Sequence, residues 1–352
     1  MSNPQRPVAI LGGSGYVSGE LARLIAGHPA MQLAAVSSTT LAGHSLADRF
    51  PNLAGCLEGT RFVTPDELTA QVADGALDGL FCAAPHGAAA GLLADLLAGP
   101  GGSALAVVDA SADFRFRDPL RYETVYGHPH GAPQLIDRFG CAVPEHLARA
   151  PGKWMAHPGC FATATLLAVV PLLQSGLAEP DFYVAGITGS TGSGNKPTAT
   201  THHPERHSNL FAYRPLRHRH APEMEALAEA ASATAARIRF VPHSGPFARG
   251  IHVTVQGRLR RGTNAEGLRA ALASAYESSP FVEVIDTEPR IKDVVGSNRA
   301  RIGVATDGDS YAVMCVIDNL VKGAAGGALQ WMNRLLELDE PLGLNLPGPA
   351  WI

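Results

Sequence analysis

The chain has 352 residues, 46% hydrophobic and 17% charged, with a formal net charge of −4. This is globular composition, the length predicts two domains, and no Lys/Arg block suits nucleic acid or a membrane surface. Met1 to Pro7 has no apolar run for a signal peptide, and the longest apolar stretch, Cys160 to Leu173, is too short to span a bilayer. A cytoplasmic protein with no nucleic-acid or membrane partner is expected.

Val8 to Leu11 reads as a short strand closed by Gly12-Gly13-Ser14-Gly15, and Tyr16 to Ala26 carries apolar residues at helical spacing. Strand, tight glycine turn and helix open a dinucleotide-binding unit, because small residues let backbone N–H groups approach a pyrophosphate. Gly12, Gly13, Ser14, Gly15, Tyr16 and Val17 are therefore candidate cofactor residues. The spacing is not strict GxGxxG, and such junctions often need glycine for steric reasons alone. Leu33 to Val36 predicts a second strand, ending in Ser37-Ser38-Thr39-Thr40. NAD-binding chains usually carry a carboxylate near this point. Here Ser37 and Ser38 offer hydroxyls to a 2′-phosphate and nothing repels it, which predicts NADP. No arginine in the stretch supplies an opposing charge.

Two more strands follow, Leu80 to Cys82 before Pro85-His86-Gly87 and Leu105 to Val108 before Asp109-Ala110-Ser111. Alternating strands and helices predict a parallel sheet covered on both faces. After about residue 150 the pattern changes. Phe182 to Ile187 predicts a strand opening a long Gly/Ser/Thr/His-rich segment. Ile251 to Leu259 alternates strictly, and Ala300 to Thr306 and Ser310 to Ile317 flank a hairpin signal at 307–309. This half predicts an antiparallel sheet with helices on one side, and Leu320 to Leu336 a final helix.

The five cysteines are odd in number, and none are paired at CxxC spacing, which argues against a disulfide framework or structural zinc. Cys82 and Cys315 lie in apolar strands and read as small buried hydrophobes. Cys160 follows His157-Pro158-Gly159 and opens an apolar helix. There the helix dipole and unbonded N–H groups stabilise a thiolate, so Cys160 is a candidate nucleophile. A thiolate working with a nicotinamide suggests attack on an acyl carbon, a thioester, and its reduction to an aldehyde. A carboxylate is too poor an electrophile, so an activated acyl group with phosphate as leaving group is expected.

Five of the 14 histidines fall between 202 and 220. A metal site is one alternative, but no cysteine and few carboxylates accompany them. General acid–base work is the sharper reading. In His218-Arg219-His220-Ala221-Pro222-Glu223, Pro222 suits a first helical turn and Glu223 could orient an imidazole. A chain running up to proline tends to be extended, which would point His218 and His220 to one side. His220, adjoining the helix, is the favoured acid/base.

The chain carries Gly-Ser-Gly-Tyr at 13–16, Ala-Pro-His-Gly at 84–87, Ser-Ala-Asp-Phe-Arg at 111–115 and Val-Pro-Glu at 143–145. These continue with His-Pro-Gly-Cys at 157–160, His-Arg-His-Ala-Pro-Glu at 218–223, Arg-Gly-Ile at 249–251, Gly-Ser-Asn at 296–298 and Asp-Asn-Leu-Val-Lys-Gly-Ala-Ala-Gly at 318–326. On these motifs the chain resembles the N-acetyl-γ-glutamyl-phosphate reductases, relatives of aspartate-semialdehyde dehydrogenase. The resemblance implies an N-terminal Rossmann domain over 1–156, completed by 319–352. It implies an α+β catalytic domain with a largely antiparallel sheet over 157–318, in a glyceraldehyde-3-phosphate dehydrogenase-like arrangement. It further implies Cys160 as nucleophile and His220 or His218 as acid/base. Arg115, Arg249 and Glu223 would serve the substrate, and Pro85, His86 and Asn319 the cofactor. NADPH and a homodimer or homotetramer are implied, with an acyl phosphate of arginine biosynthesis as substrate.

Ser18 stands where many members have a third glycine, and Thr39 and Thr40 where many carry an arginine. The stretch 201–206 resembles members acting on a carrier-protein-linked aminoadipyl phosphate in lysine synthesis, and Arg214, Arg217 and Arg219 would suit an acidic carrier. A non-catalytic NADP-binding regulator is the alternative of another class, and the Cys160, Arg115 and His220 set argues against it.

Overall fold

The structure, a computed structural model, describes residues 5–350. Two compact units interleave along the chain: 5–141, 149–157 and 325–345 form the first, and 142–148, 158–324 and 346–350 the second. Apart from the single residue His157, the expected division differs at three places, one being that 346–350 fall in the second unit and not the first. Residues 142–148 belong with the second unit, where Glu145 and His146 find Lys322 and Tyr276. The closing segment joins the first unit at Ala325 and not at Asn319, because Asp318 and Asn319 are bonded to Arg249 and Gly250 of the second.

In the first unit the chain runs β1 (Arg6–Leu11), α1 (Tyr16–Ala26), β2 (Met31–Ser37), α2 (Leu46–Arg49), β3 (Phe62–Val63), α3 (Pro65–Ala73) and β4 (Gly79–Cys82). It continues with α4 (Ala89–Ala98), β5 (Ala106–Asp109), α5 (Pro119–Tyr126), β6 (Phe139–Cys141) and β7 (Trp154–Ala156). All seven strands are parallel, in the order β3-β2-β1-β4-β5-β7-β6. The order reverses between β1 and β4, the position where open α/β sheets bind ligands at their carboxyl ends. β4 and β5 are buried throughout, as strands covered on both faces must be. A last helix, Gly326–Leu335, packs against β5 and α1. Its Met332 sulfur lies where a Cβ on Gly79 would be, at 2.7 Å, so the contact requires glycine.

The second unit opens with α6 (Cys160–Ser175), followed by β8 (Asp181–Thr188), α7 (His203–Arg206), β9 (Phe211–Ala212), α8 (His220–Ser232), β10 (Arg237–Ser244) and β11 (Ile251–Arg258). Then come α9 (Ala265–Ala275), β12 (Val282–Val284), β13 (Ala300–Asp307) and β14 (Ser310–Ile317); Gly326–Leu335 is α10. The sheet order is β12-β13-β14-β11-β8-β10-β9. It is mixed: β8–β10 and β12–β13 pair parallel, the other neighbours antiparallel. α6 is apolar all round and buried from Phe161 to Leu173, and it packs on β11, β14, α8 and α9. Gly186 of β8 allows this, since a Cβ there would meet the Phe161 ring at 2.6 Å. The opposite face of the sheet presents half-exposed residues such as Ile187, His252 and Thr254, with Tyr183 53% exposed.

The final helix does not start as an α-helix. Val321–Ala325 forms a π turn, in which Gly323 donates to the Asp318 carbonyl at 2.9 Å, one residue further back than in an α-helix. The expected helix at 320–336 is thus two pieces.

Candidate active site

In the first unit the glycine turn is shaped by close approach. Gly12 has φ +87°, and a Cβ on it would lie 2.5 Å from the Ala84 backbone; one on Gly13 would lie 2.3 Å from Val36. Gly13 donates to the Ser37 carbonyl at 2.8 Å, locking the turn to the end of β2. Ser18, in place of a third glycine, closes it with a hydroxyl bond to the Gly12 carbonyl at 2.8 Å. Gly15 caps α1 with no side-chain partner, and a Cβ on it would meet nothing within 4 Å. That open space in front of helical N–H groups is what a pyrophosphate needs, so the loop fits a dinucleotide. Tyr16 is 40% exposed beside it. Ser37 and Ser38 are buried, and the Ser38 hydroxyl accepts from Leu41 N at 3.3 Å.

A cation outside 37–40 lies against the glycine turn. Arg49 of α2 donates from Nε and Nη2 to the Ser14 carbonyl, at 3.0 and 2.8 Å. It lies 35 positions beyond that serine, in no recognisable motif, so only the fold brings it to the loop.

At the ends of β4 and β5 a buried polar network explains the Ser-Ala-Asp-Phe-Arg motif. Asp113, fully buried, accepts from Gly87 N and Ala90 N at 2.8 and 2.9 Å, holding the start of α4, and from the Tyr122 hydroxyl at 3.1 Å. His86 Nδ1 accepts from Ala112 N at 2.9 Å, fixing the Pro85-His86-Gly87 loop. Asp109 accepts from the Ser111 N–H and hydroxyl, both at 2.8 Å, yet burial still pushes its carboxyl up to about 6. Arg115, 6% exposed, donates to the carbonyls of His157 and Ala110 at 3.0 and 3.2 Å. The sequence places Asp109 and Asp113 in quoted stretches but gives neither them nor Tyr122 a role, since lone polar residues carry no periodic signal.

In the second unit Cys160 is the first residue of α6 and is half-buried, whereas Cys82 and Cys315 are buried. The Gly159 N–H just before it donates to Glu223 Oε1 at 2.6 Å, and Glu223 is fully buried on α8. That bond ties Glu223 of α8 to the turn before Cys160. Tyr213 is close by: burial first, and then the Cys160 charge, raise its hydroxyl.

His218 and His220 flank Phe161, with ring centroids 6.1 and 6.4 Å from it and 4.7 Å from each other. The segment is not extended as expected. Arg219 is already right-handed helical, and α8 begins at His220. Pro222 is the third residue of the helix, where its missing N–H has no intrahelical acceptor, so the first turn tolerates it; its steric bias falls on Ala221 and does not reach 218–220. His218 Nδ1 accepts from His220 N at 3.2 Å. Burial, helped by Arg219 and Arg214, pushes the His218 imidazole down to about 4. His218 is neutral at physiological pH.

Arg249 and Asn319, also expected at the site, bond to neighbours in the second unit. Arg249 makes a two-pronged ion pair with buried Asp318, at 3.0 and 3.1 Å. Asn319 accepts from Gly250 N at 2.7 Å and donates to Thr191 Oγ1 at 2.9 Å. His203 and His207 pair on the exterior, with centroids 5.1 Å apart. Among the described residues no three His, Cys, Asp or Glu side chains gather as a metal ion would require, and no helix is long and apolar enough to cross a membrane.

The first unit is thus a parallel sheet whose glycine turn is open at the start of α1, and the second a mixed sheet whose central helix starts at a half-buried cysteine. The profile of the semialdehyde dehydrogenase NAD binding domain matches residues 7–139, and that of the semialdehyde dehydrogenase dimerisation domain residues 160–319. N-acetyl-gamma-glutamyl-phosphate reductase of Rhodospirillum rubrum is 40% identical over 346 residues, covering 96% of this chain and 97% of that one. The same-named protein of Pseudomonas fluorescens is 39% identical over 350 residues, covering 97% and 98%. The chain belongs to the N-acetyl-γ-glutamyl-phosphate reductase family, an oxidoreductase family that uses a nicotinamide dinucleotide. Neither the carrier-linked substrate nor the regulator is favoured by these relatives.

Among solved structures, aspartate semialdehyde dehydrogenase II of Vibrio cholerae superposes with a TM-score of 0.69 at 16% identity, covering 95% of this chain and 98% of that one. The Candida albicans aspartate semialdehyde dehydrogenase with NADP gives 0.66 at 15%, covering 95% and 98%. These share the fold.

Proposed function

We propose that the chain reduces N-acetyl-γ-glutamyl phosphate to N-acetyl-glutamate semialdehyde, releasing phosphate, in arginine biosynthesis. The observation that carries this is Cys160, accessible at the first position of α6, with the preceding N–H fixed by Glu223. The Cys160 thiolate attacks the acyl carbon, the carbon–oxygen bond to phosphate breaks, and a thioester forms. A reduced nicotinamide dinucleotide held at Gly12 to Val17 would supply the hydride for reduction of this thioester. His220 gives the carbonyl oxygen its proton and then removes it as the carbon–sulfur bond breaks, freeing aldehyde and thiolate. Neutral His218, with Nδ1 engaged by His220 N, positions and does not supply the proton. Arg115 meets the leaving phosphate. Arg249, held by Asp318, and Asn319, held by Gly250, we assign to the frame of the last helix.

NADPH is the proposed cofactor. Gly12 to Val17 receive the pyrophosphate, the loop at Pro85 and His86 lines the same end of the sheet, and Ser37, Ser38 and Arg49 provide hydroxyls and charge for the 2′-phosphate. Phosphate-dependent reduction of NADP⁺ and NAD⁺ with N-acetyl-glutamate semialdehyde, beside the aminoadipate analogue, tests substrate and cofactor together. Faster turnover of the longer analogue, or a preference for NAD⁺, would overturn the corresponding half.

We further propose a homo-oligomer in which a second copy covers the open face of the second sheet. A cleft of about 660 Å³ opens there, lined by Ile187, Phe247, His252 and Arg290. The match of residues 160–319 to a dimerisation domain supports this reading. Light scattering on Val241→Glu, whose charge would enter that face, should show monomer where the wild type shows oligomer.

A further inference from the structure

The second unit contains a buried ion pair that the proposed chemistry does not use. Lys322 Nζ lies 2.6 Å from Glu145 Oε1, with the two side chains 0% and 2% exposed. Neither can reach a substrate from solvent. A buried ion pair is weak as a stabiliser, since apolar residues of the same volume commonly do as well or better. What the pair does hold is geometry. Lys322 sits in the π turn Val321–Ala325, and a π turn inside a helix is an unfavoured conformation that needs outside support.

That turn presses on Cys160. A Cβ on Gly323 would lie 2.7 Å from Cys160 Cβ and 3.1 Å from its Cα. The backbone next to Lys322 therefore forms one wall of the nucleophile's position. The other half of the pair reaches the same helix by a second route. His146, next to Glu145, bonds the Tyr276 hydroxyl at 2.9 Å, and that hydroxyl donates to the Leu167 carbonyl of α6 at 2.7 Å. Burial pushes the His146 imidazole down to about 4, so it adds no charge beside the pair. Residues 142–148 thus bridge the π turn and α6 and fix their separation.

We propose that Glu145 and Lys322 are a positioning pair for Cys160, setting its place and its thiolate by holding the π turn in register. This rests on Cys160 being the nucleophile. The test uses the full-length enzyme as Glu145→Gln, Lys322→Met, the double variant, and Glu145→Asp. Each is read by kcat, KM, thermal unfolding, and the pH dependence of Cys160 alkylation by iodoacetamide followed by mass spectrometry. A single variant leaves one charge buried alone and can fail to fold. The double variant removes both charges at nearly constant volume and restores stability.

The expected result is a folded double variant whose kcat is down on the order of 10²-fold, as a displacement of about 1 Å at a reacting group produces. KM should move far less, and the alkylation midpoint should rise. Glu145→Asp, which keeps the charges and shortens the reach, should fall between it and wild type. A folded double variant with wild-type kcat and alkylation profile would overturn the proposal. Wild-type enzyme that keeps its turnover after stoichiometric alkylation of Cys160 would instead remove the nucleophile reading on which it stands.

Discussion

Gly323→Ala isolates the contact between the π turn and Cys160, the proposed nucleophile. Gly323 has no positive φ, so the added methyl meets steric and not backbone resistance. The new carbon would be 2.7 Å from Cys160 Cβ and 3.3 Å from Ile317 Cδ1, against 3.4–4 Å for ordinary contact. Overpacking of this kind costs ~1–3 kcal/mol, and the gain in helix propensity from glycine to alanine returns about 1 kcal/mol. The net loss of stability is therefore small, about 1 kcal/mol. The relief falls on Cys160, which must move by several tenths of an ångström or turn about χ1. A rate loss on the order of 10²-fold is expected. Phosphate-dependent oxidation of the semialdehyde gives kcat and KM, and thermal unfolding gives stability. A variant with unchanged kcat would refute the reasoning, as would one whose activity falls only in step with its unfolding.

Cys160→Ser should keep the fold and lose nearly all turnover, because a neutral hydroxyl is a far weaker nucleophile; retention of more than a trace in the phosphate-dependent assay would rule out the thioester route. His220→Asn should lower kcat by ~10²–10⁴-fold and flatten one limb of the pH–rate profile, whereas His218→Asn should act mainly on KM. His218 also couples stability to pH. It takes up its proton near 6.5 when unfolded and near 4 when folded, so between those values the unfolded chain binds more protons. Acidification through this window should remove about 3 kcal/mol of stability, a slope that urea titrations of His218→Asn should lack. Arg49→Met should raise KM for NADPH more than for NADH, and Ser38→Asp should do the same by repulsion; equal effects on both cofactors would remove Arg49 from the 2′-phosphate.

The strands and helices that carry repeating apolar patterns are legible in the amino-acid sequence. β1, the glycine turn and α1 declare themselves together, and β13 and β14 do so through the Gly308 turn between them. Cys160 is legible because proline and glycine mark a helix start. Residues acting through long-range bonds leave no such trace. Arg49 lies in a four-residue helix, and Glu223 reads equally well as a partner for an imidazole or for the Gly159 N–H. The extended reading of 218–220 stretches a proline rule that bears only on the residue directly before the proline, Ala221. The π turn is illegible because its extra residue shifts the period only locally, and Lys322 in the middle of an apolar helix gives no hint of Glu145.

The interleaving of the two units dictates an order of completion. A ribosome delivers the seven parallel strands first, but they cannot close at that stage. The face that will receive Trp331, Met332 and Leu329, all fully buried in the finished protein, stays bare until residue 335 has emerged. By then every strand of the other sheet has already been synthesised. Vectorial folding usually finishes the amino-terminal domain first; here the cofactor-binding domain, first to be made, is left waiting for its last helix. A nascent chain stalled short of residue 326 would therefore display the apolar surface of that sheet, the form that holdase chaperones and proteases recognise.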